Sequence, residues 1–166
     1  ALIGWQIDNE LGGEHKRCYC EICAGEFRRY LQDRYMNLDE LNHRWGTRFW
    51  SQSYTRWDDI PIPKWIDLDM MLKHHPSLAL EFARFSSDSI VQFVREQEEI
   101  IRSFVGDVDA DDHVEHPFAT TNTDSFYWGD SVDIFRMYET LAVGAIDLYT
   151  SDESTLRFSR SVMRGL

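Results

Sequence analysis

The first eight residues, Ala1 to Asp8 (ALIGWQID), constrain the fold most: apolar and β-forming side chains follow one another with almost no alternation. A strand with one wet face alternates, whereas a strand without alternation is covered on both faces, as in a parallel sheet flanked by helices. The rest of the chain supplies such helices. Cys23 to Tyr35 places Phe27, Tyr30, Leu31 and Arg34 at the three- and four-residue steps of one helical face. Asn37 with Glu40 predicts a capped start for a short helix through Trp45, ended by Gly46. Pro76 opens the longest helix, in which Phe82, Phe85, Ser89, Phe93, Gln97, Ile100 and Phe104 form a mostly apolar core stripe up to Gly106. After an acidic linker, DVDADDHVEH, Pro117 to Asn122 (PFATTN) reads as a strand and Val132 to Leu141 as a helix. Val143 to Tyr149 (VGAIDLY) reads as a third strand and Ser154 to Leu166 as a closing helix.

Strand, helix, strand, helix, strand, helix is the order of a parallel α/β sheet. The long insertion from Thr47 to Leu72, aromatic and Pro-punctuated, reads as a functional loop. Three parallel strands with open edges leave backbone donors unpaired and apolar faces partly covered. Long loops covering the edges are one remedy; membership of a larger closed barrel is the other. The abrupt start inside a buried strand favours the barrel. Residues 1–166 are therefore read as part of one domain, with no complete second domain.

Composition narrows the function classes. Hydrophobic residues make up 43% of the 166, enough for a real core and too many for disorder. The net charge of −12 argues against phosphate backbones and anionic membranes as partners. No apolar run approaches the roughly 18 residues that a spanning helix needs, and none has the flanks of a signal peptide. Six Trp contribute to an aromatic content of 14%, with many rings in irregular stretches. Such rings suit carbohydrate platforms, although large rings dominate ordinary cores too.

Chemistry concentrates where the first strand stops. Asp8, Asn9 and Glu10 stand between the apolar run and Gly12-Gly13, and active sites of parallel barrels lie at that end of their strands. A carboxylic acid there can protonate a leaving glycosidic oxygen, and a neighbouring Asn can hydrogen-bond the sugar hydroxyl beside the reacting carbon. Glu10 would need a raised pKa for that task. The same residues also serve commonly as plain turn or helix caps.

A second signal is the C-x-C-x2-C run of Cys18, Cys20 and Cys23, the only three cysteines in the chain. Three thiolates in one loop suit structural Zn2+ with a fourth ligand from elsewhere, whether His15, a water or a residue outside the chain. A disulfide would leave one thiol over and strain the C-x-C spacing. Three reduced thiols remain the alternative. Reduced or metal-bound thiols suit a reducing compartment, which points to the cytoplasm.

Taken together, GWQIDNELGG, HKRCYCEICAGEFRRYL and LDELNHRWGTRFWSQSYTRWDDI closely resemble the glycoside hydrolase family 42 β-galactosidases. Weaker echoes run through HPSLALEFARFSSDSIVQFVREQ, ATTN and the final MRGL, so the resemblance covers essentially the whole chain. It implies a (β/α)8 TIM barrel, of which this chain is the central portion: an incomplete barrel of about three parallel strands with helices, the fourth to sixth βα units. It also implies that Glu10 is the general acid/base at the end of the fourth barrel strand and that Asn9 binds the sugar near its 2-hydroxyl. Trp50 matches an aromatic wall of the galactose pocket. Cys18, Cys20 and Cys23 match three of four cysteines that hold structural zinc in some members. Tyr149 falls near a tyrosine that supports the nucleophile, although AIDLYTS departs from the usual wording, as TTNT does at the second strand.

The implied reaction is retaining hydrolysis of terminal β-D-galactosides by the parent protein, with no cofactor in the chemistry and a homo-oligomer, a trimer, as the assembly. The second carboxylate follows the strand after MRGL in the family, so the chain is expected to lack its nucleophile and to be inactive alone. Asp147 and Glu153 read instead as turn and helix-start residues. Two rivals stay open: a zinc-stabilised module that binds carbohydrate without cleaving it, and a related retaining β-glycosidase with another sugar. A natural start just before Ala1 and stop after Leu166 would favour the module.

Overall fold

The computed structural model of the protein describes residues 5–12, 17–63, 75–105, 118–120, 132–139, 141 and 144–165. These residues form two compact units, residues 17–86 and residues 1–16 with 87–166. In chain order the elements are β1 (Trp5–Ile7), α1 (Glu21–Arg34), α2 (Leu38–Trp45), 3-10 turns at Thr47–Trp50 and Trp57–Asp59, α3 (Pro76–Val105), β2 (Phe118–Thr120), α4 (Ile134–Tyr138) and α5 (Glu153–Gly165). None of the described helices is long and apolar enough to cross a membrane.

In the 17–86 unit, α1 begins two residues before the expected Cys23. Cys20 is its N-cap, its Sγ accepting the Cys23 N–H at 3.5 Å. Phe27 and Leu31, one turn apart, are fully buried with Leu41, Ile60 and Phe82, and each such side chain contributes roughly 1.5–3 kcal/mol of apolar burial. The Phe27 and Phe82 rings meet edge to face at 5.2 Å. Truncating Phe27 would open a cavity at the centre of this cluster.

The predicted start and stop of α2 are both present. Asn37 Oδ1 accepts the Glu40 N–H at 2.9 Å, while Glu40 reaches back to the Met36 N–H at 2.8 Å rather than to the cap residue itself. At the other end Gly46 lies at φ 66°, the left-handed conformation that closes a helix at least cost to a residue without Cβ.

One carboxylate sits in this apolar environment. Glu81, 3% exposed, is paired with Arg34 at 3.1 Å and Arg84 at 2.7 Å and accepts from the hydroxyls of Tyr30 and Tyr35. A buried anion is tolerable only with its lone pairs occupied in this way.

The other unit contains the sheet. β1 and β2 are parallel, with Trp5 opposite Phe118 and Ile7 opposite Thr120, as the unalternating strand text predicts. Burial on both faces holds less well, because Ile7 is buried while Gln6 is exposed and Trp5 is 37% exposed. Two strands pair among the described residues.

The Phe stripe of α3 also needs correction beyond its first turns. Phe82 is buried and Phe85 packs beside it, but Phe93, Ile100 and Phe104 are exposed by 40%, 51% and 87%. The apolar α3 residues buried in this second unit, among the described residues, are Val91 and Val94, packed with Ile7, Val132, Met137 and Tyr138. Consecutive helical positions differ by about 100°, so burying Val94 turns Phe93 outward. Periodicity located an apolar stripe without showing which face each unit would use.

Two further elements differ from expectation. α4 is shorter than Val132 to Leu141 because Asp133 caps it, accepting from the Phe135 and Arg136 N–H groups at 3.1 and 3.2 Å. Among the described residues of 143–149, ladder pairing occurs at Asp147 alone instead of along a third strand. There the Ala145 carbonyl accepts from the Tyr138 hydroxyl. Gly144 lies so close to Met163 that a Cβ would meet its Cε at 3.0 Å. Ala1 to Gly4, the loop residues 64–72, the acidic linker, Gly106, Pro117, Thr121, Asn122, Val143 and Leu166 lie outside the described residues.

Candidate active site and metal centre

Asp8, Asn9 and Glu10 follow β1 directly, at its C-terminal end. Asp8 and Glu10 both have positive φ, 57° and 47°. Left-handed backbone costs a non-glycine residue roughly 1–2 kcal/mol, and two such residues flanking Asn9 make this the most strained turn among the described residues. Such strain persists where surrounding structure enforces it, and it clusters at functional sites. Local bonds hold the turn: the Asn9 N–H donates to Asp8 Oδ1 at 2.7 Å, and Gln6 Nε2 lies 3.4 Å from both Asp8 O and Asn9 Oδ1. Glu10 is partly buried, while Asp8 and Asn9 are exposed. Gln6 had no place in the sequence reading; its position two residues before the acidic turn, on an exposed strand face, was the available signal.

Cys18, Cys20 and Cys23 come together as expected, their sulfurs all within 4.8 Å of one another and those of Cys18 and Cys20 3.4 Å apart. A tetrahedral ion with sulfur ligands at about 2.3 Å sets neighbouring sulfurs about 3.8 Å apart, so the cluster can hold a metal ion with small side-chain adjustments.

Two of the thiols titrate differently. The backbone N–H of Cys23 and the Cys18 thiol both donate to Cys20, lowering its pKa to about 7 from 9.0. Burial, reinforced by its sulfur neighbours, pushes Cys23 up to about 12. The first stands at a helix N-terminus, where an anion is favoured. His15, the candidate fourth ligand, lies outside the described residues.

The other candidates lie elsewhere in the sequence. Trp50 ends the 3-10 turn that follows Gly46, and its side chain lies outside the described residues. Tyr149 is 83% exposed in irregular backbone. Glu153 starts α5 and pairs with Arg157 at 2.6 Å on the surface. That is the helix-start role its sequence position suggests. Sequence reasoning also missed Asn42, whose side chain bonds both the N–H and the carbonyl of Tyr54, at 2.8 and 2.7 Å. An Asn in the last turn of a short helix is a weak signal by itself.

Comparison with known proteins supplies what geometry alone does not. A β-galactosidase from Halorubrum lacusprofundi is 47% identical over 118 residues, covering 70% of this chain and 16% of that protein. The solved structure of a polyextremophilic β-galactosidase from the same organism matches with TM-score 0.73 and 39% identity over 88% of this chain and 20% of its own. The crystal structure of a β-galactosidase from Bacillus circulans sp. alkalophilus matches with TM-score 0.76 and 28% identity over 98% of this chain and 23% of its own. The chain thus spans about a fifth of the length of these relatives. The glycoside hydrolase family 42 profile, described as β-galactosidase, matches residues 1–166 from end to end, and the chain belongs to that family.

Proposed function

We propose that the chain is the central part of the catalytic (β/α)8 barrel, the fourth to sixth βα units, of a parent protein that hydrolyses terminal β-D-galactosides with retention. The observation that carries the reading is the position of Glu10. It is a partly buried carboxylate in a turn with two positive-φ residues, at the C-terminal end of a parallel strand, where barrel enzymes place their reacting groups.

In the reaction, the protonated Glu10 carboxyl donates its proton to the glycosidic oxygen as the bond to the anomeric carbon breaks. A second carboxylate, placed beyond the MRGL segment and supported by Tyr149, attacks that carbon from the opposite side. Glu10, now a carboxylate, takes a proton from the water that releases galactose. Asn9 holds the 2-hydroxyl, a contact that strengthens as charge develops at the adjacent carbon, and Trp50 forms an apolar wall for the sugar face. Cys18, Cys20 and Cys23 would hold zinc, which contributes folding free energy and no chemistry. We place the parent protein in the cytoplasm as a homotrimer acting on galactosides or galacto-oligosaccharides.

The test compares the parent protein with its Glu10→Gln variant on a chromogenic β-galactoside, with azide as external nucleophile. The expected result is a fall of about 10²–10⁴-fold in hydrolysis, with azide restoring turnover of an activated substrate as a β-glycosyl azide. Near-normal hydrolysis by the variant would return Glu10 to the role of a turn residue.

A further inference from the structure

The loop between Gly46 and Tyr54 combines a locked base with an open tip. At the base Thr47 is fully buried, and its hydroxyl donates to Asn42 Oδ1 at 2.9 Å. The same Oδ1 accepts the Tyr54 N–H at 2.8 Å, while Asn42 Nδ2 donates to the Tyr54 carbonyl at 2.7 Å. One primary amide thereby satisfies both backbone groups of Tyr54, as a neighbouring strand would. Its oxygen uses both lone pairs. The Gln52 N–H closes the loop onto the Thr47 carbonyl at 2.9 Å. Below it, the Tyr54 ring meets Trp45 edge to face at 6.1 Å.

At the tip, by contrast, Arg48 is exposed and Phe49 is 80% exposed. The backbone runs through the 3-10 turn to Trp50 and the left-handed Ser51, at φ 54°. A loop fixed this firmly from beneath has already lost the conformational entropy that binding would otherwise cost.

From this we infer that Asn42 is a positioning residue for substrate binding: by clamping Thr47 and Tyr54 it holds the Trp50 turn in the conformation that receives the galactoside. The inference rests on the β-galactosidase reading of the site. It assigns Asn42 no contact with the sugar. Its effect falls on substrate affinity, because the loop it orders carries a wall of the pocket and no reacting group.

The experiment uses the parent protein, with wild type and Glu10→Gln measured on the same preparation so that the reaction itself is tested separately. Asn42→Ala removes the clamp. Asn42→Asp keeps the oxygen acceptor but turns the Nδ2 donor into an oxygen facing the Tyr54 carbonyl. Thr47→Val deletes one hydroxyl at nearly constant shape, and Thr47→Ser restores it.

KM for a chromogenic β-galactoside should rise about tenfold in Asn42→Asp and Thr47→Val, with kcat within about twofold, a pattern of lost uniform binding. Thr47→Ser should return KM to the wild-type range. Hydrogen exchange at the Tyr54 amide should accelerate in the same variants. Unchanged KM with accelerated exchange would overturn the inference while leaving the Glu10 reading intact, as would parallel losses of kcat and thermal stability without a change in KM. If Asn42→Ala does not fold, the Asp and Val variants decide. Absence of galactosidase activity in the wild-type protein would remove the reading and this inference with it.

Discussion

The indole N–H of Trp45 donates to the hydroxyl of Tyr35 at 3.0 Å, joining the last residue of α2 to the residue that closes α1. That hydroxyl donates onward to Glu81 at 3.2 Å, so one oxygen links two helix ends to the buried carboxylate of α3. Tyr35→Phe would leave both the indole N–H and one carboxylate oxygen short of a partner. The expected loss is about 1–2 kcal/mol, read as a lower denaturant midpoint of the parent protein. Glu81→Gln should cost about as much or more, because Arg34 and Arg84 lose their shared anion. Their own half-exposed guanidinium groups can turn to water, which keeps the loss below that of a fully enclosed pair.

At the ends of α2, two substitutions separate capping from conformation. Asn37→Ala removes the acceptor of the Glu40 N–H and should destabilise by about 1 kcal/mol. Gly46→Ala has open space around its Cβ, so its cost comes entirely from the left-handed backbone, about 1–2 kcal/mol. An Asn at position 46, which tolerates that conformation better, should recover part of the loss. Thermal unfolding of the variants side by side checks the order.

These helix ends were readable in advance because capping depends on neighbours within four residues: Asn37, Glu40 and Gly46 carry their own instructions. The Cys cluster was legible for the same reason, since C-x-C-x2-C spans a single turn at a helix start. What could not be read depended on partners distant in sequence. Phe93 and Val94 are adjacent apolar residues, and which of them is buried is decided by Ile7, Val132 and Met137. In the stretch read as a third strand, the Ala145 carbonyl accepts from the Tyr138 hydroxyl, a side-chain contact that strand patterning does not announce. Glu81 gave no sign of burial either, because a glutamate in a helix is ordinarily a surface residue, and its counter-ions come partly from another helix. Asn42 needed Tyr54, twelve residues away, to show its role.

The thiol pKa values predict an order of reactivity in metal-free protein. With its pKa lowered to about 7, Cys20 is half thiolate near neutrality, whereas Cys23, pushed to about 12, remains protonated. Iodoacetamide at pH 7.5 should therefore alkylate Cys20 well ahead of Cys23, with the Cys20 rate rising through pH 7. The signs for stability oppose each other. The lowered Cys20 pKa favours the folded state above about pH 9, and that contribution is lost as pH falls through 7. The raised Cys23 pKa favours it below about pH 9, and that contribution is lost as pH rises toward 12. Zinc must displace the Cys23 proton, so its affinity should increase with pH, and bound zinc should protect all three thiols. Site-by-site mass spectrometry after alkylation, with and without zinc, distinguishes these outcomes; equal labelling of Cys20 and Cys23 would contradict the assigned geometry.

At the start of α5, Asp152 Oδ2 accepts from the Ser154 hydroxyl at 2.5 Å and from the Thr155 N–H at 2.7 Å. These bonds favour the ionised form and lower its pKa to about 2 from 3.8. Because the folded value is the lower one, the contribution is complete above pH 3.8 and disappears as pH falls through about 2. Asp152→Asn keeps an acceptor for Thr155 and loses only the charge at the helix N-terminus, so it should leave α5 largely formed and flatten its response between pH 4 and 2. Asp152→Ala loses the side-chain cap at every pH and should expose the Thr155 amide even at neutrality. Amide exchange followed across this range separates the two effects: if Asn behaves like Ala at pH 7, the cap depends on the charge rather than on the hydrogen bonds that define it.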